Sequence, residues 1–145
     1  MNPLFTLDWD EGVEETDWDF AQSKVPKMME EAGIIRAVHL QLVSTATIHS
    51  LNLQYRGQDQ PTDILSFGYD EDDEPQGDLV LCLSVAQAQA KEYGLTLEQE
   101  VLRLLAHGLV HLLGHDHETE AEEAQMLALE KKLLRAIDLE GLYPD

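Results

Sequence analysis

The sequence predicts an α+β fold: a small mixed four-stranded sheet packed by about five helices, in one domain over residues 1–145. Three observations lead there. Apolar or alternating runs of strand length, at residues 4–7, 38–42, 64–67 and 78–83, are interleaved with longer stretches of helical spacing. Helix punctuation recurs between them, as capping residues before the apolar stripes and glycines after them. No repeat or low-complexity linker divides the chain, and 145 residues with 43% hydrophobic content suffice for one core.

Taken in order, residues 4–7 (Leu-Phe-Thr-Leu) read as a short strand. A helix is expected over residues 17–32, with Pro26 near its start or kinking it, and Gly33 stopping it. Val38, Leu40 and Leu42 alternate with His39 and Gln41, the pattern of a half-buried strand with His39 on its polar face. Ser44 or Thr45 caps a helix running to Arg56, with Ile48, Leu51 and Tyr55 as its apolar stripe and His49 off it. Gly57 ends it, Pro61 marks a turn, and residues 64–67 form a buried strand. Residues 70–77 read as an acidic surface loop without a calcium-loop pattern. Residues 78–83 are an apolar strand, followed by Ser84 as the cap of a helix that ends at Gly94. Thr96-Leu97-Glu98-Gln99 is a capping box. It opens a helix whose core stripe is Val101, Leu104, Leu105, Gly108 and Leu112. Thr119-Glu120-Ala121-Glu122 is a second box, opening a last helix with Leu127, Leu133, Leu134 and Ile137 inward.

Composition narrows the function classes. Nine Lys and Arg face 29 Asp and Glu, a formal charge of −20. Bulk electrostatic capture of RNA calls for a basic protein. Here a nucleic acid has to be held by a local positive cleft, by a metal, or through a partner protein. The bland alternative is that the acidity serves solubility alone. No apolar run reaches the ~18 residues of a membrane span. The N-terminus lacks the basic and apolar regions of a secretory signal, and the single cysteine, Cys82, sits in an apolar run as a core thiol. These features fit a cytoplasmic protein with no membrane partner.

The chemistry concentrates in residues 107–117, His-Gly-Leu-Val-His-Leu-Leu-Gly-His-Asp-His. On a helix, residues four apart lie one above the other, so His107 and His111 can present two imidazoles to one ion. A third ligand cannot come from the same straight helix. Gly114 can adopt the left-handed conformation that ends a helix, and His117 can then swing back. Three nitrogens with an open fourth position is the catalytic form of a zinc site. Imidazoles also suit nickel, copper or iron. His115 is off the spacing and reads as a solvated turn residue. Asp116 has two equal readings, a carboxylate orienting a ligand imidazole or a cap for the next turn. Glu100 shares the helix face of His107 and His111, with Arg103 a little further round. Between a carboxylate supporting the site and an exposed residue, the second reading of Glu100 is slightly preferred. The spacing is that of the metzincin proteases, H-E-x-x-H-x-x-G-x-x-H, but position 108 is glycine, so the general base of a peptidase is missing.

Several blocks together resemble the YbeY family. Residues 51–56 (Leu-Asn-Leu-Gln-Tyr-Arg) and 61–67 (Pro-Thr-Asp-Ile-Leu-Ser-Phe) are similar to its L-N-x-x-Y-R and P-T-D-V-L-S-F blocks. Gly77-Asp78-Leu79-Val80 resembles its G-D-I-V strand, and residues 107–117 its H-G-x-x-H-L-x-G-x-D-H motif. Gly68 and His115 stand where many members have proline and tyrosine. The resemblance implies a bacterial metal-dependent endoribonuclease that prefers single strands. It implies action in ribosomal RNA maturation, notably at the small-subunit 3′ end, and in ribosome quality control. It further implies one Zn2+ bound by His107, His111 and His117, and Arg56 acting in catalysis near the metal. Taken alone, Arg56 reads as an exposed cation at a helix end. The expected partners are single-stranded ribosomal RNA and the ribosome or its small-subunit proteins. In outline, zinc would polarise a phosphoryl oxygen or activate water, and Arg56 would neutralise charge on the phosphate. The nucleophile is then water or the RNA's own 2′-OH. Two rivals stand beside this: a non-catalytic ribosome-assembly factor with a structural zinc, and a metalloprotease.

Overall fold

The computed structural model describes residues 4–69, 71, 74–114, 118–139 and 141–142. Its elements follow in the order β1 (Phe5–Trp9), α1 (Asp19–Ala32), β2 (Val38–Val43), α2 (Thr45–Arg56), β3 (Ile64–Gly68), β4 (Gly77–Cys82), α3 (Leu83–Tyr93), α4 (Leu97–Leu112) and α5 (Glu120–Arg135). The strands form one sheet in the order β1-β2-β4-β3. β1, β2 and β4 are mutually parallel where they pair, and β3 runs antiparallel to β4 at the edge. The expected α+β architecture, with four strands of mixed direction and five helices, is what the described residues adopt.

The period-2 alternation of the strands separates two cores. Val38, Leu40, Leu42, Ile64, Leu79 and Leu81 belong to the larger one, with residues of α1, α4 and α5. The intervening positions Val43, Leu65, Val80 and Cys82 face the smaller one, which Ile48 of α2 completes. Cys82 is buried there, as expected. His39 lies on the polar side of β2, bonded to Thr6 across the β1 pair and to Gln41.

The helix caps mostly follow the sequence. Ser44 is the N-cap of α2 and accepts from the Thr47 N–H at 3.2 Å. Thr96 and Gln99 form the complete capping box of α4. Thr119 accepts from Glu122 N–H, one half of the second box. Three local expectations fail, and one of the two alternatives for Pro26 drops out. Pro26 lies inside α1 rather than near its start; both Pro26 and Gln22 are exposed, so the lost backbone bond falls on the solvated side. Ser84 does not cap α3, because that helix begins at Leu83 directly out of β4, with Cys82 at the N-cap position. Tyr55 is 59% exposed instead of packing with Ile48. Leu127 is exposed too, since Met126 takes the inward position of its turn.

α4 sits on the larger core between α1, α3, α5 and β3, and it is buried on nearly every side. Its close approach to the sheet depends on Gly108. A Cβ there would lie 2.8 Å from Leu79 Cδ2 and 3.1 Å from Ile64 Cδ1. Gly108 is therefore a packing residue, and no glutamate fits in its place without displacing the sheet-side core. Among the described residues, no helix is long and apolar enough to cross a membrane.

Candidate active site

An open cleft of about 970 Å³ runs along β3, between the end of α2 and the face of α4. Tyr55, Arg56, Asp63, Ser66, Phe67, Arg103, His107 and His111 line it, with the backbone from Thr62 to Gly68 as its floor. The loop from α2 to β3 is fixed from within. Asn52, 3% exposed, donates from Nδ2 to the Gln60 carbonyl at 2.8 Å. Asp63 Oδ1 accepts from its neighbour Ile64 N–H at 2.7 Å, turning the chain into the strand.

His107 and His111 emerge one turn apart from α4, as the spacing predicts. Their Nε2 atoms lie 3.0 Å apart, with ring centroids at 4.5 Å and planes at 83°. His107 Nδ1 meets Glu130 Oε1 of α5. A carboxylate in that place favours the tautomer with hydrogen on Nδ1, which leaves Nε2 with a lone pair on the side of His111. Zinc ligands at roughly 2.0–2.1 Å in tetrahedral array stand about 3.3 Å apart. The two nitrogens are close to that separation, and the donor set fits a metal. Gly114 has φ of 91°, the left-handed turn expected after the histidine helix. Among the described residues, no third His, Cys, Asp or Glu joins the pair in a metal-sized cluster. His117, the expected third ligand, lies outside the described residues, as do His115 and Asp116.

Arg56 is the last residue of α2, is exposed and lines the cleft.

Two carboxylates correct the sequence reading. Glu100, read as exposed, is fully buried. It accepts two bonds from Arg103, at 2.6 Å to Nε and 2.8 Å to Nη2. With its amide nitrogen turned toward the carboxylates, Gln89 donates to Glu100 Oε2 at 2.8 Å and Asp63 Oδ2 at 3.3 Å. Glu100 is excluded from water because α3 packs over this part of α4. Arg103 is consequently held in a fixed direction at the cleft, with Tyr93 under its guanidinium at 5.7 Å. Glu130 is the residue that sequence reasoning missed. Its signal was present: Met126, Glu130, Leu133, Leu134 and Ile137 share one helical stripe, and an acid in a core stripe demands a buried partner.

The fold and cleft define a class: an α+β protein with paired imidazoles and arginines gathered along the free edge of a sheet. The model of the family described as "Endoribonuclease YbeY" matches residues 9–138. An "Endoribonuclease YbeY" of Carboxydothermus hydrogenoformans is 45% identical over 130 residues, covering 88% of this chain and 91% of that one. The protein of the same name from Desulfitobacterium hafniense is 40% identical, covering 75% and 83% of the two chains. The solution structure of TM1509 from Thermotoga maritima superimposes with a TM-score of 0.60 at 25% identity, covering 97% of this chain and 99% of that one. This chain belongs to the YbeY family of endoribonucleases.

Proposed function

We propose that this endoribonuclease is zinc-dependent and cuts single-stranded ribosomal RNA, with the unprocessed 3′ end of the small-subunit RNA as its substrate and the cytoplasmic ribosome as its partner. The observation that carries the metal dependence is the pair of Nε2 atoms 3.0 Å apart, with Glu130 behind His107. His107, His111 and His117 would hold one Zn2+. When bound, the ion supplies Lewis-acid polarisation of the phosphodiester.

The chain's own residues do the rest. Glu130 keeps the hydrogen of His107 on Nδ1 and fixes the ring plane, so that Nε2 stays a donor of electrons. Arg56 offers a planar fork that grips phosphate oxygens and neutralises the charge gathering on them as the bond breaks. Arg103, braced by Glu100, adds a second guanidinium to the same cleft. A formal charge of −20 repels RNA at a distance. That charge favours delivery of the enzyme by partners with basic faces, as ribosomal proteins have. The peptidase alternative lacks its general base, because position 108 is glycine.

The test is cleavage of single-stranded RNA carrying the unprocessed small-subunit 3′ end by wild type, Arg56→Ala and His111→Ala, purified alike with metal content recorded. A loss of roughly 100-fold or more in kcat for Arg56→Ala, with metal and fold retained, is expected for removal of a charge-stabilising donor. Equal cutting by all three variants would assign the activity to a contaminant. No cutting by any, alone or with ribosomes, while wild type and Arg56→Ala keep zinc, would favour an assembly factor with a structural zinc.

A further inference from the structure

Tyr55 has a ring that the fold leaves uncovered. Its spacing from Ile48 and Leu51 suits the core side of α2, yet it is 59% exposed and lines the cleft. Its ring meets that of Phe67 edge to face, with centroids 5.2 Å apart and planes at 72°. Phe67 is half-buried against the smaller core, so β3 anchors the pair while Tyr55 projects from it. Edge-to-face contact holds a ring in place without covering both of its faces.

Charge sharpens the point. The chain has nine Lys and Arg against 29 acids. Of those nine, Arg56 and Arg103 line the cleft, and Arg103 is already bonded to Glu100. Coulomb attraction to phosphates is therefore a weak source of affinity for this protein. Base stacking on an aromatic ring needs no net charge and is tolerant of sequence. Bases inside a duplex have their faces covered by neighbours, and only unpaired ones can use such a ring.

We infer that the Tyr55–Phe67 pair is a stacking platform for one unpaired nucleobase of the strand whose phosphate Arg56 grips. The inference rests on the RNA-cleaving reading above and supplies the structural source of its single-strand preference. Tyr55 and Arg56 are consecutive at the end of α2, so the base and a phosphate of one short segment are held together.

The experiment uses the full zinc-loaded chain and a short unstructured oligoribonucleotide, together with copies carrying one abasic residue at successive positions. In wild type, an abasic residue at one position is expected to raise KM about 5- to 100-fold, the range for one stacked base. Tyr55→Ala should raise KM on intact RNA by a similar factor and erase the penalty at that position. Tyr55→Trp should restore it, and Tyr55→Leu, which keeps apolar cover without a π face, should not. An abasic penalty unchanged in Tyr55→Ala overturns the inference while leaving the nuclease intact. So does a Tyr55→Ala defect seen only with ribosomes and never with free RNA, which would make the ring a protein contact. If wild type neither cuts nor binds any of these RNAs, the reading beneath it fails as well.

Discussion

The two helices that face each other across the cleft are built in opposite ways. α4 is buried on nearly all sides, packed by three helices and the sheet, and its apolar residues belong to the larger core. α2 buries only Ile48 and Asn52 and exposes Leu53, Tyr55 and Arg56. The imidazole pair therefore stands on the most constrained element of the molecule, and Arg56 on one of the least. A ligand set must be held to within fractions of an ångström before the ion arrives, so it gains from rigidity. The role proposed for Arg56, following a phosphate through a reaction, tolerates a lightly anchored support. Local stability is unevenly distributed in proteins, and here the division follows the cleft.

The sharpest way to break this comparison is to load each helix with the same charge. Gly108→Glu forces a side chain into space held by Leu79 and Ile64 and buries a carboxylate without a partner. Overpacking costs about 1–3 kcal/mol and an unpaired buried charge several more, so the variant should lose most of its stability. Leu53→Glu on α2, at 48% exposure, should change stability by no more than about 0.5 kcal/mol. Urea unfolding of both variants makes the measurement. Equal effects would show that the two helices are equally anchored.

A somewhat smaller effect is expected at Arg103. Truncation to Ala strands the carboxylate of Glu100, which is fully buried, at a cost of about 3 kcal/mol. The double variant Glu100→Gln with Arg103→Gln should recover most of that loss. A double variant as unstable as Arg103→Ala would mean that packing, rather than charge, sets the cost.

Next in size is Glu130→Ala. If His107 binds zinc as proposed, removing the carboxylate behind it should weaken zinc binding about 10- to 100-fold while the fold persists. Competition with a chromogenic chelator reads this directly. An unchanged affinity would sever Glu130 from the metal site.

The smallest effect lies at Tyr69, just past the end of β3. Its phenol donates to Asp78 Oδ2 at 2.5 Å, and that hydrogen bond, with the carboxylate's charge, raises its pKa above the ordinary value. The protonated form is the one favoured by folding. Its contribution is present at neutral pH and is lost as pH rises from about 10 through the folded value. Ultraviolet titration of wild type and Asp78→Asn should show the Tyr69 phenol ionising at lower pH in the variant. A phenol unaffected by that substitution would exclude the contact in solution.

Much of the architecture was legible because its signals are local. Alternation at Val38, Leu40 and Leu42, the Thr96–Gln99 box and the glycine stops each depend on a few neighbouring residues. The failures were also local in form, but their causes were not. Tyr55 has the spacing of a core residue, yet it is left exposed at the end of the helix on which Ile48 is fully buried. Ser84 has the chemistry of a cap, but β4 passes into α3 without the turn that a cap would close.

By itself, the sequence determined the order of strands and helices, the helix that carries His107 and His111, and the left-handed turn at Gly114. Those features follow from backbone preference and side-chain period, which act within a turn or two. Tertiary structure alone decided that Glu100 is buried against Arg103, that Glu130 reaches His107 from 23 residues away, and that Tyr55 and Phe67 meet at the cleft. The last two contacts join separate elements and the first, within α4, is buried by its neighbours; all three depend on which faces the packed core covers and which it leaves to water.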